Sequence, residues 1–204
     1  MNFSALKPRR KTRVVMVGDV GIGGDEPIRV QTMTNTDTLD IEKTAAQTAL
    51  CVKAGAELIR ITTQSPQHAR ALGEIRTLLK KKYRISVPLI ADVHFSQAAA
   101  FEALLWADKV RLNPGNLLDS KLHKQLEFEK GAYRKELKRI EEGLFPFITA
   151  AKKARKPIRI GAITDRFPIG FFLAMVTRRS AWSNPPWNTC VFSKSTTTLM
   201  SSSP

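Results

Sequence analysis

Cysteine is almost missing from this chain, with Cys51 and Cys190 the only two in 204 residues. Two thiols that far apart make neither a disulfide framework nor a metal-binding spacing. Cys51 falls on the apolar side of an expected helix, where it reads as a packed core thiol. Long hydrophobic runs are missing as well. Nothing in the sequence has the length and apolarity of a membrane span, and the opening Met-Asn-Phe-Ser lacks the apolar core of a signal peptide. The expectation is a soluble, cytoplasmic protein of bacterial type with no membrane partner. Acidic residues are the third shortage: 18 Asp and Glu stand against 33 Lys and Arg, for a net charge of +15.

Part of that positive charge lies at Lys7, Arg9, Arg10, Lys11 and Arg13, and part in a mixed-charge segment from Lys121 to Arg139. A solvated surface accounts for much of it. No nucleic-acid module and no interleaving of basic and aromatic residues is present, so nucleic acid is not the expected partner. A small polyanion such as a phosphate ester fits better.

With 43% apolar residues, the chain can bury one core. Its organising stretch is Pro27 to Thr38, where Ile28, Val30 and Thr32 alternate as in a strand before a polar run leads to Asp40, an N-cap for the next helix. Thr12 to Val17 reads as a short strand, and the glycine-rich Gly18 to Asp25 as a hairpin-like turn at the barrel bottom. Its glycines match neither the dinucleotide nor the Walker spacing.

Ile41, Ala45, Thr48 and Val52 give the first helix its apolar face, and Gly55 stops it. Ala56 to Thr63 is the next strand. Ser65-Pro66 starts a second helix, with Ala69, Leu72, Ile75 and Leu79 toward the core and Lys80 to Arg84 closing it in solvent. Val87 to Phe95 is a buried strand, and Ser96 caps a helix holding Ala99, Ala103 and Trp106. Asp108 to Gly115 is a fourth strand, ending in the turn Asn113-Pro114-Gly115-Asn116. A long charged helix is expected over Ser120 to Arg155, then a fifth strand at Pro157 to Gly161.

Strand and helix alternate, as in a parallel α/β fold. Both an open sheet and a barrel fit that alternation. Arg60, Asp92, His94, Arg111, Asn113 and Arg159, with Gln31 and Asn35, fall near the ends of different strands, and strand ends from many strands converge only in a barrel. Strand arginines are hard to explain as packing, whereas a guanidinium fork suits phosphate oxygens. Pairing with a carboxylate such as Asp92 is the plainer alternative. His94 lies two residues beyond Asp92 and so shares its face. That arrangement is open to a metal site, an acid–base pair or a histidine oriented by a carboxylate.

PIRVQTMTNTDT, ELIRITT, ADVHF, VRLNPGN and PIRIG, in that order, together with RRKTRVVMVGDVGIGGDEPI, resemble the amino-terminal barrel of the 4-hydroxy-3-methylbut-2-enyl diphosphate synthase family. The resemblance runs from Arg9 to Gly161, and the long charged helix is similar to the chlamydial and plant form. It implies an iron–sulfur oxidoreductase of the non-mevalonate isoprenoid pathway. Such an enzyme reductively opens 2-C-methyl-D-erythritol 2,4-cyclodiphosphate and removes a hydroxyl, taking electrons from ferredoxin or flavodoxin. It implies Arg60, Arg111 and Arg159 on phosphate oxygens, with Asn113, His94 and Asp92 lining the pocket. It also implies a separate carboxyl-terminal domain with a [4Fe–4S] cluster on three cysteines and a glutamate. In dimeric members that domain closes over the partner's barrel.

After Gly161 the family pattern, VNHGSLSDR followed by YGDTP, MVES and FSMKASN, is missing. A frameshift is the expected cause. Codons begun at the third base of those read here force glycine across Met175 and Val176 and glutamate across Trp187 and Asn188. The neighbouring codons permit YGDTP, MVES and NYPDVVFSM. The expected organisation is a partial TIM (β/α)8 barrel over residues 1–161, with five of eight strands, and an out-of-frame, disordered tail over 162–204. On this view the cluster domain and its cysteines are absent, Cys190 cannot replace them, and the fragment neither folds stably nor turns over. The alternatives are an inactive remnant and another phosphate-binding barrel, such as a pterin-type synthase.

Overall fold

The computed structural model describes residues 11–113 and 132–161. The turn expected beyond Asn113, the first part of the expected long charged helix and the segment 162–204 lie outside the described residues. Seven strands and four helices are described. β1 (Val15–Val17) and β2 (Val20–Ile22) form an antiparallel hairpin, and β3 (Gln31–Met33), β4 (Leu58–Thr63), β5 (Leu89–Val93), β6 (Lys109–Leu112) and β7 (Ile158–Ile160) form a parallel sheet in that order. Between them run α1 (Ile41–Lys53), α2 (Pro66–Leu78), α3 (Gln97–Trp106) and α4 (Ala132–Lys153).

Within the parallel sheet each strand pairs with the next one in sequence, which is the order of a singly wound barrel. The sheet is not closed among the described residues, so the expected five-stranded part of a barrel is what the fold contains. The alternating side-chain direction of the strands divides it into two faces. Ile59, Ile61, Leu89, Ala91, Val93, Val110 and Leu112 point outward and join the helix-facing core with Leu72, Ile75, Ala99, Ala103 and Phe147. Full burial of side chains of this kind stabilises by about 1.5–3 kcal/mol each for the larger ones.

The helices begin where the sequence places them. Asp40, Ser65 and Ser96 each accept a hydrogen bond from the backbone N–H three residues on, at Lys43, His68 and Ala99. Gly55 follows α1 with a φ of +99°, a conformation that favours glycine. Cys51 is partly buried against the core. Beyond Leu78 the helix loosens into a single π turn, Leu79–Tyr83, before Arg84 turns out of it.

Two details differ from the expectation. Ile28 and Val30 precede β3 instead of lying in it, and they are 86% and 54% exposed because they flank an edge of the sheet. Trp106 is partly exposed, lying over Gly73 of α2 and donating from Nε1 to Glu102.

The hairpin seals the lower end of the inner face. Val17 packs with Leu58 and Ile90, near the beginnings of their strands, and Val20 and Ile22 border them. Gly18 sits close against Pro88. The turn expected at the barrel bottom is there, and its role is packing.

Candidate functional site

Above that apolar plug the inner face changes character. Its strand positions are Met33 on β3, Arg60 and Thr62 on β4, Asp92 on β5, Lys109 and Arg111 on β6, and Arg159 on β7. Register aligns Met33 with Arg60, Thr62 with Asp92, Asp92 with Arg111, and Arg111 with Arg159. The strand period thus carries one polar row, Thr62, Asp92, Arg111 and Arg159, across the sheet, with Met33, Arg60 and Lys109 one step below it.

Asp92 is the centre. It is 2% exposed, and its Oδ1 accepts from Arg111 Nη1 at 3.0 Å. Its Oδ2 lies 3.4 Å from Arg60 Nε and 3.4 Å from His94 Nε2. A buried carboxylate is tolerable only when paired and bonded, and here several groups share that duty. Two of the arginines therefore do pair with Asp92, as the plainer alternative proposed. Arg159 does not: it is exposed and has no ion-pair partner among the described residues.

Charge on this face is unbalanced. Of its strand residues, Arg60, Lys109, Arg111 and Arg159 are cationic, and Asp92 alone is anionic. The effect is visible at Lys109, whose pKa is lowered first by burial and then by the charge of Arg159. An anion placed here would relieve that repulsion.

All six residues expected at the site lie on this face or at its upper rim. Arg60, Asp92, His94 and Arg111 form one contact cluster. Asn113 is 1% exposed just past β6, and Arg159 stands across from Arg111. Gln31 and Asn35 are not part of the cluster. Gln31 opens β3 opposite Leu58, near the lower end. Asn35 is committed to the loop, where Gln47 Oε1 accepts from its N–H and Gln47 Nε2 donates to its Oδ1.

Three residues were missed by the sequence reading. Met33 presents its Sδ to Arg60 at 3.3 Å from Nε and 3.1 Å from Nη2. Lys109 precedes Arg111 by two residues, and Gly161 follows Arg159 by two. The strand period that assigned His94 to the face of Asp92 would have found both.

Among the described residues no three His, Cys, Asp or Glu side chains come together to hold a metal ion. Asp92 and His94 form a pair without a third ligand, and Cys51 is embedded in helix packing. These residues do not fit a [4Fe–4S] cluster, which takes thiolate ligands. No helix among them is long and apolar enough to cross a membrane.

Comparison with known proteins agrees with this geometry. The model of the GcpE TIM-barrel domain matches residues 12–165. The chloroplastic 4-hydroxy-3-methylbut-2-en-1-yl diphosphate synthase (ferredoxin) of Oryza sativa subsp. japonica is 44% identical over 164 residues, covering 78% of this chain and 22% of that protein. The flavodoxin form from Protochlamydia amoebophila is 42% identical over 164 residues, 78% of this chain and 25% of that protein. That from Bacteroides fragilis strain YCH46 is 44% identical over 163 residues, 78% and 26% respectively. The chain spans about a quarter of the length of these curated relatives. Among solved structures, the dihydropteroate synthase of Yersinia pestis is similar at a TM-score of 0.36 and 14% identity, over 84% of this chain and 73% of that one. That score is too low to argue from.

Proposed function

This chain belongs to the GcpE family, and from that membership we propose that it forms the substrate-gripping part of a 4-hydroxy-3-methylbut-2-en-1-yl diphosphate synthase. The observation that carries the reading is the row Asp92–Arg111–Arg159 across the inner face, toward the carboxyl ends of parallel strands, with Arg60 one step below it reaching up to Asp92. The proposed ligand is 2-C-methyl-D-erythritol 2,4-cyclodiphosphate, whose two phosphates offer oxygens to several guanidinium groups at once. Arg159 contributes a whole unpaired fork. Arg60 contributes the edge not facing Asp92. Asp92 fixes Arg111 and keeps His94 close, so the face is ordered before the ligand arrives.

The [4Fe–4S] cluster of the relatives' chemistry would supply electrons for the reductive ring opening, and its ligands must come from outside the described residues. Ferredoxin or flavodoxin, which the relatives' names carry, are the proposed electron donors, with a homodimer for the longer form and a cytoplasmic location. The reading assigns residues 1–161 to the partial barrel and residues 162–204 to an out-of-frame segment. In place of the expectation that such a fragment does not fold, the continuous buried core behind its strands favours a chain that binds the diphosphate and does not turn it over. The family match ending at residue 165, just past Gly161, supports that boundary.

The test is calorimetric titration of the cyclodiphosphate into the chain at low and moderate salt. Saturable binding that weakens with salt is expected, and the Arg60→Met, Arg111→Met, Arg159→Met triple variant should abolish it. Binding that the triple variant leaves intact would refute the assignment.

A further inference from the structure

Arg111 is held from both sides of its strand. On the β5 side its Nη1 donates to Asp92 Oδ1, and its side chain is only 9% exposed. On the β7 side it meets Gly161. A Cβ built on Gly161 would overlap Arg111 Nε and stand 2.6 Å from both Cζ and Nη2, closer than carbon atoms come to such groups. The glycine cannot back away cheaply, because its N–H donates to Leu112 O at 2.8 Å and so extends the β6–β7 ladder. Gly161 and Arg159 share the inner face by strand period, so this face lacks a side chain one step above Arg159.

We infer that Gly161 is a positioning residue for Arg111: the missing side chain is the slot in which the guanidinium lies. Any side chain at 161 would push the guanidinium off Asp92 and toward solvent. The flexible tip could move at small steric cost, so the fold would survive, but the pair with Asp92 would not. The slot therefore serves the orientation of a cation more than the stability of the strand. The inference rests on the reading of this face as a diphosphate site, and it adds the residue that sets where one of its arginines points. A ligand contact made by an arginine fixed in advance loses less freedom on binding than one made by a free arginine.

Two measurements on the full 204-residue chain separate the slot from the site. The first is the Nε–Hε resonance of Arg111 in a 15N-labelled sample at low temperature, assigned by its loss in Arg111→Lys. It should be protected from solvent exchange in the unmodified chain and lose that protection in Gly161→Ala. Free exchange in the unmodified chain, or unchanged protection in the variant, overturns the slot. The second is pyrophosphate affinity in a double-mutant cycle. Gly161→Ala should weaken binding about tenfold beside Arg111 and less than twofold beside Lys in the Arg111→Lys background. An equal loss in both backgrounds means a backbone effect and overturns the positioning role. A protected Arg111 in a chain that binds no pyrophosphate overturns the diphosphate reading and the role in binding, while the slot itself stands.

Discussion

Asp92 and Arg111 sit opposite each other on adjacent parallel strands and share a buried ion pair, Oδ1 to Nη1, at 3.0 Å. Arg60 and His94 approach the other oxygen of the same carboxylate. Removing one partner of a buried pair leaves the other charged and unsatisfied. Asp92→Asn is expected to lower stability by about 3 kcal/mol, read from urea unfolding. Adding Arg111→Met to that variant should restore part of the loss. A stability unchanged by Asp92→Asn would mean the pair is solvated.

Arg159 offers the opposite balance, being exposed and unpaired among the described residues. Arg159→Met is expected to leave the melting temperature within a degree or two of the unmodified chain. Cyclodiphosphate affinity should fall by about tenfold or more, the worth of a charge-assisted hydrogen bond of roughly 1.5–3 kcal/mol. Equal losses in stability and affinity would assign Arg159 to the fold.

Lys109 carries a pKa lowered by burial and by Arg159. Its folded value lies below its unfolded one, so between the two the folded chain binds fewer protons and stability rises with pH. Below the folded pKa the cost of the buried charge is present in full. Stability should therefore climb as pH rises toward the ordinary lysine value of about 10.4, and Lys109→Met should flatten that climb and be more stable at neutral pH. Unfolding curves across this window, with and without the substitution, check it.

The cap at Ser96 is a local feature with a local cost. Ser96→Ala removes the acceptor for Ala99 N–H and is expected to cost about 1 kcal/mol without moving ligand affinity.

The out-of-frame assignment is tested at the gene. Sequencing across the Gly161 codon should recover one missing base and continue through NHGS. An intact reading through residue 204 on resequencing would contradict it.

How much of this was legible beforehand follows from what each residue depends on. Caps and strand order were readable because they rest on neighbours in sequence: Asp40, Ser65 and Ser96 announce their helices, and period two gives the two faces of β4, β5 and β6. That these six residues gather on one face or its rim was readable because polar groups within apolar strands require a reason. The commitment of Asn35 to Gln47 was not, since it depends on how a loop meets a helix. Neither was the closeness of Gly161 to Arg111, which arises from the direction an arginine takes across a strand pair. Ile28 and Val30 misled because alternation alone does not reveal that their edge of the sheet has no neighbour among the described residues.

The most direct test of the account follows the arginine Nε–Hε resonances of the labelled chain during titration with the cyclodiphosphate. The account predicts that Arg60, Arg111 and Arg159 shift together and saturate at one equivalent. Absence of shifts there, or shifts confined to the basic turn of Lys80 to Arg84 at the opposite end of the sheet, would contradict it.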